Sequence, residues 1–132
     1  MRVLFWSDNS NTQGAESLEQ DELKMAKDVT IGSYPFVCVP LGEADFSDVA
    51  AVYVILCVAA GGSQTVLDVG QTGQLGSRID EHERKDCWQK NCPSGNIWVC
   101  VYRMPSHIYS ESDRLKVENE LRQRFNPPCG KR

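Results

Sequence analysis

The longest apolar stretch of the chain, Ala50 to Ala60, is built almost entirely from valine, isoleucine, leucine and alanine, with Tyr53 and Cys57 inside it. A run of that length and β-branched content predicts a central strand buried on both faces. Gly61-Gly62-Ser63-Gln64 turns the chain into a second strand over Thr65 to Val69, and so short a turn implies antiparallel pairing. Gly70 and Gly73 end that strand, and a helix is expected from about Leu75 to Trp88. After the loop Cys92-Pro93-Ser94-Gly95-Asn96, Ile97 to Met104 alternates with the two-residue period of a further strand. A second helix is expected from about Ser110 to Phe125, with Ser110 or Ser112 as its cap and Pro127-Pro128 as its stop. Upstream, Val29 to Leu41 is rich in β-formers and predicts a strand or a hairpin edge, closed by Pro40 and Gly42.

The order strand, strand, helix, strand, helix gives the fold class α+β: a small, mainly antiparallel sheet of three to four strands flanked by helices. Residues 7–28 are polar and acidic and carry no strand pattern, although Leu18 to Ala26 could form a short helix. The expected organisation is therefore an acidic, flexible extension over residues 1–28 and one α+β domain over residues 29–132.

Composition refines this picture modestly. A chain of 132 residues with 41% hydrophobic and 24% charged positions is ordinary for one soluble domain. No apolar run approaches the roughly 18 residues of a membrane span, and the start lacks the apolar length of a signal peptide, so a cytoplasmic address is expected. The six cysteines are read as reduced thiols: Cys38, Cys57 and Cys100 lie in strand-like apolar runs, and Cys87 and Cys92 lack the paired spacing of a zinc site. The net charge of −4 divides unevenly, −6 over residues 1–50 and +2 over residues 51–132. The acidic arm could engage a protein partner, while the remainder keeps the local positive charge that phosphate binding needs.

Two observations on the helices bear on chemistry. At 100° per residue Arg78 and His82 fall on one face, beside the apolar stripe of Leu75 and Ile79. In the second helix Glu118 falls on the arc of Val117, Leu121 and Phe125, whereas Glu120 points away. A carboxylate on a sheet-facing arc needs a cation, and either a metal ion or a salt bridge to Arg78 or Arg122 would serve. Trp88 and Trp98 are read as packing residues, and His107 as a solvated loop residue.

The ordered set Ala51-Val52-Tyr53, Asp68-Val69-Gly70, Gln71-Thr72-Gly73-Gln74-Leu75, Arg78 with His82, Val117-Glu118-Asn119-Glu120-Leu121 and Asn126-Pro127-Pro128 resembles the GIY-YIG nuclease domain over about residues 50–130. That resemblance implies a metal-dependent DNA endonuclease acting on branched or damaged nucleic acid. It implies Tyr53 as general base on the attacking water, and Arg78 and His82 as groups that handle the scissile phosphate. It also implies Glu118 as ligand of one Mg²⁺ or Mn²⁺, with Gly70, Gln71, Thr72 and Arg122 along the substrate path. The roles are chemically coherent, because phosphodiester cleavage concentrates negative charge where a guanidinium and a metal supply preorganised counter-charge.

The departures from the family pattern are equally specific. Ala51 replaces a glycine, Asp68 replaces the tyrosine of the second motif, and Gly130 aligns with the terminal asparagine, Asn126 lying four residues earlier. Either Asp68 joins Glu118 as a second metal-binding carboxylate in a variant nuclease, or the site binds nucleic acid without cutting it. A third alternative, from a different class, is a protein-interaction domain on the same scaffold.

Overall fold

The computed structural model describes residues 3–5 and 26–130. Six strands form one sheet: β1 (Val3–Phe5), β2 (Lys27–Ile31), β3 (Tyr34–Pro40), β4 (Ala51–Val58), β5 (Ser63–Thr72) and β6 (Ile97–Arg103). Their order across the sheet is β1-β5-β4-β6-β3-β2, and every neighbouring pair is antiparallel. Three α-helices, α1 (Leu75–Asp80), α2 (Lys85–Lys90) and α3 (Glu111–Phe125), and a 3-10 turn over Leu41–Glu43 complete the fold among the described residues. The chain is thus α+β with an antiparallel sheet and flanking helices, as its pattern implies. The sheet exceeds three to four strands because the Val29 to Leu41 stretch folds back on itself as the β2–β3 hairpin and Val3–Phe5 adds an edge to β5. Apart from those three residues and the last three, the expected 1–28 extension lies outside the described residues. Lys27 and Asp28 open β2.

β4 is buried at every position, as its unbroken apolar run requires. Its alternate residues feed two cores. Val52, Val54, Leu56 and Val58 pack with Val66 and Val69 beneath Val117, Leu121 and Phe125 of α3. Ala51, Tyr53, Ile55 and Cys57 pack with Leu67 against Leu75, Ile79 and Trp88 on the opposite face. A break in register places Ile55 opposite Asp68 and Leu56 opposite Val66, leaving Leu67 as the extra residue. Such a bulge re-aims the side chains beyond it, and Asp68 and Gly70 here share the face that carries Tyr53. β5 runs on through Gly70 to Thr72 rather than ending at Gly70.

α3 matches its expected bounds. Ser110 caps it through Oγ, which accepts from the Asp113 amide, while the Asp113 carboxylate accepts from the Ser110 amide. Asn126 ends it in the left-handed conformation at φ 46°.

All six cysteines are paired, Cys38 with Cys100, Cys57 with Cys92 and Cys87 with Cys129. This overturns the expectation of reduced thiols. The partners lie 62, 35 and 42 residues apart, so local spacing carried no sign of them. Cys38 and Cys100 meet because β3–β6 register sets them directly opposite. No helix among the described residues is long and apolar enough to cross a membrane.

Candidate phosphate-handling site

Tyr53 lies on β4 directly opposite Gly70 of β5. Its ring lies across that glycine, so that a Cβ at position 70 would fall on the phenol carbon and oxygen. Glycine is required there for space, and its contribution to the site is to let the Tyr53 oxygen cross β5.

The helix expected over Leu75 to Trp88 is interrupted between Asp80 and Lys85. The Arg84 amide donates to His82 Nδ1 at 3.1 Å, and the Asp80 carbonyl accepts instead from Lys85 Nζ at 3.0 Å. His82 thereby turns inward and its Nε2 meets Tyr53 Oη at 2.7 Å. Because Nδ1 accepts a backbone proton, the neutral ring carries its hydrogen on Nε2 and donates it to the tyrosine oxygen. Burial, reinforced by Arg78 and Arg84, lowers the His82 pKa to about 4, which keeps the ring neutral at pH 7. Burial also pushes the Tyr53 phenol up, and the Arg78 guanidinium is the largest influence drawing it down.

Arg78 remains near the surface and is held by Glu83, with Nη1 2.5 Å from Oε1 and Nη2 3.0 Å from Oε2. α1 itself is anchored by Asp48 and Val49: Val49 O accepts the Leu75 amide, and Asp48 accepts from the amide and hydroxyl of Ser77. Of the expected substrate contacts, Thr72 Oγ1 accepts from the Gln74 amide and Gln71 Oε1 accepts from Arg114 Nε.

Asp68 is fully buried, and both of its oxygens are engaged. Oδ2 accepts from Arg84 Nε at 2.7 Å and from Trp88 Nε1 at 2.7 Å. Oδ1 accepts from Arg122 Nη2 at 2.8 Å and from Arg84 Nη2 at 3.3 Å. Arg122 also donates to the carbonyls of Val69 and Cys129, which ties α3 to β5 and to the tail. Gly130 closes the cluster at φ 73°. A Cβ there would lie within 2.8 Å of Arg122 Nη2, Arg84 Nε and Asp68 Oδ1. An asparagine at position 130 has no room, and Asn126 is spent on the helix cap.

Glu118 is buried on α3, its Oε2 3.8 Å from Arg122 Nε. Arg114 and Arg122 stand one helical turn to either side of it. Mg²⁺ prefers several oxygen ligands, most of them water, around one or two carboxylates. Here the second carboxylate, Asp68, is saturated by guanidinium and indole donors. The helical positions flanking Glu118 are cationic. This donor set suits Glu118 as counter-charge to Arg122 and does not fit a divalent ion.

The structure therefore joins Tyr53, His82 and Arg78 into one site and links Asp68 to Glu118 through Arg122. Arg84 had no role in the sequence reading, yet it orients His82 through its amide and Asp68 through its side chain. A carboxylate in a strand interior, followed by arginines at 78 and 84, was the only local sign of such a partner. Trp88 and Trp98 are buried and His107 is exposed, as read from sequence. No family model matches the chain, and neither the curated proteins nor the solved structures contain a match.

Proposed function

We propose that the chain is a GIY-YIG-like endonuclease that hydrolyses phosphodiester bonds in DNA, with Tyr53, His82 and Arg78 at its centre. The observation that carries the reading is the 2.7 Å contact between His82 Nε2 and Tyr53 Oη, with a guanidinium beside it. An imidazole N–H and a guanidinium directed at one phenol oxygen stabilise negative charge on that oxygen. Burial pushes the phenol up, so its proton is first lost to solvent against that cost. The phenolate then takes one proton from the attacking water, the water oxygen bonds to phosphorus, the phosphorus–oxygen ester bond breaks, and the leaving oxygen is protonated by solvent. Arg78, the more exposed cation, faces the phosphate. The family motif would place a divalent metal at Glu118, which the arginine-bound arrangement of Asp68 and Glu118 does not suit.

The test is incubation of the full chain with plasmid and branched DNA, in Mg²⁺, in Mn²⁺ and in EDTA, beside Tyr53→Phe. Cutting that Tyr53→Phe reduces by two to four orders of magnitude supports the reading. Cutting no greater than that of Tyr53→Phe removes it. The engagement of Asp68 and Glu118 by arginines favours a second reading, nucleic-acid binding without cleavage. That reading expects salt-sensitive DNA affinity weakened by Arg78→Ala in the absence of any product. Six paired cysteines match an oxidising compartment better than the expected cytoplasmic one.

A further inference from the structure

Arg114 is the cation that the site described above does not use. It lies in the first turns of α3 and is 6% exposed. Its Nε donates to Gln71 Oε1 at 3.0 Å. Its Nη1 is buried with no acceptor among the described residues. Its Nη2 lies 3.9 Å from where a Cβ of the exposed Gly73 would stand. No ion pair of Arg114 occurs among the described residues, although Asp68 a short way along β5 collects two guanidinium groups. A buried guanidinium is normally neutralised by an anion in fork geometry, and one with a vacant Nη1 and with Nη2 beside an exposed glycine invites an anion from outside.

We propose that Arg114, with Gln71 holding its Nε, binds a phosphate group that enters over Gly73, and that this phosphate belongs to the nucleic-acid backbone next to the bond being cut. The second half of this statement rests on the nuclease reading. Gly70, beneath the Tyr53 ring, and Gln71 are consecutive on β5 and so face opposite sides of the sheet; the strand's end at Thr72 is where a nucleic-acid backbone would pass from one to the other. A strand whose scissile phosphate lies at Tyr53 and Arg78 has its neighbouring phosphodiester within reach of the Gln71–Gly73 turn. Gln71 fixes the guanidinium through Nε, which leaves Nη2 towards Gly73 to meet a phosphate oxygen first, with the buried Nη1 behind it.

The experiment uses the full chain labelled with ¹⁵N and two variants. Arg114→Gln removes the charge. Gly73→Asp supplies a competing carboxylate at a position of ordinary φ where a Cβ meets only Arg114 Nη2, at 3.9 Å, so it keeps the fold even where loss of Arg114 does not. The first arm titrates inorganic phosphate and follows the Arg114 Nε–Hε signal. A saturable shift that Gly73→Asp abolishes supports the site, and an unmoved signal overturns it. The second arm measures affinity for a 20-base-pair duplex in EDTA from 50 to 300 mM salt. Each variant is expected to weaken binding about 10-fold or more and to lower the salt slope by about one ion. Wild-type DNA binding with an unchanged slope in both variants overturns the backbone assignment while leaving the nuclease reading intact. Absence of DNA binding by the wild type overturns both that reading and the backbone assignment, and the phosphate arm alone then decides the site.

Discussion

Replacing Asp68 by asparagine separates two roles for this residue, metal ligand and internal counter-ion. The carboxylate accepts from Arg84 twice, from Arg122 and from Trp88. The Asp68 side chain is 0% exposed, and those of Arg84 and Arg122 are 24% and 13% exposed. Removing one partner of a buried ion pair costs about 3–5 kcal/mol because the other charge stays desolvated. Partial exposure of both arginines places the expected cost near the lower end, at about 3 kcal/mol. For a chain of this length the unfolding entropy is about 280 cal/mol/K, so the melting temperature should fall by about 11 °C. The measurement is thermal unfolding by circular dichroism at pH 7, in EDTA and again in Mn²⁺. A fall of that size, equal in both solutions, is the outcome expected of a counter-ion. A melting temperature within 2 °C of wild type in EDTA refutes the assignment, as does a loss seen only when Mn²⁺ is present.

Four further outcomes are expected. His82 has a folded pKa near 4, below its unfolded value of about 6.5, so its contribution to stability is complete above pH 6.5 and is lost as pH falls towards 4. Urea unfolding should show about 3 kcal/mol of loss across that window, and His82→Gln should remove the dependence. Gly70→Ala should expel the Tyr53 ring from beneath His82, seen as an upward shift of the His82 pKa by NMR and as loss of any DNA cutting. Replacing both Cys38 and Cys100 by alanine opens a link between residues 62 apart, and non-reducing urea unfolding should register a loss of about 4 kcal/mol from chain entropy. Ser110→Ala removes one half of the α3 capping box and should cost about 1 kcal/mol in the same assay.

The strands and the long helix were legible because their burial follows from local period: β4 is apolar throughout and β6 alternates, and α3 carries its own cap and stop. The interruption between α1 and α2 was not legible, because it depends on His82 turning towards a tyrosine 29 residues away. The apolar periodicity continues through Ile79 and Trp88 regardless. Tyr53, Arg78 and His82 were found from a motif order and do meet. The fate of Asp68 was hidden for a different reason. A bulge in β5 and the return of the chain at Gly130 decide which groups surround it, and both are tertiary facts. The cysteine pairs were invisible for the same reason, their partners being set by strand register and by the path of the tail.

The Cys87–Cys129 bond has a consequence apart from stability. Cys38 and Cys100 are wholly buried, and Cys57 and Cys92 nearly so, and in thiol form such residues remain small core hydrophobes. Cys87 alone among the six is partly exposed, and its bond anchors the segment that presses Gly130 onto Arg84 and Asp68. A thiol reagent added to the native protein therefore reaches this bond first. It would cut the covalent link between the tail and α2 while the sheet stands, so that chemical access, residue by residue, is graded towards the one crosslink that borders the site.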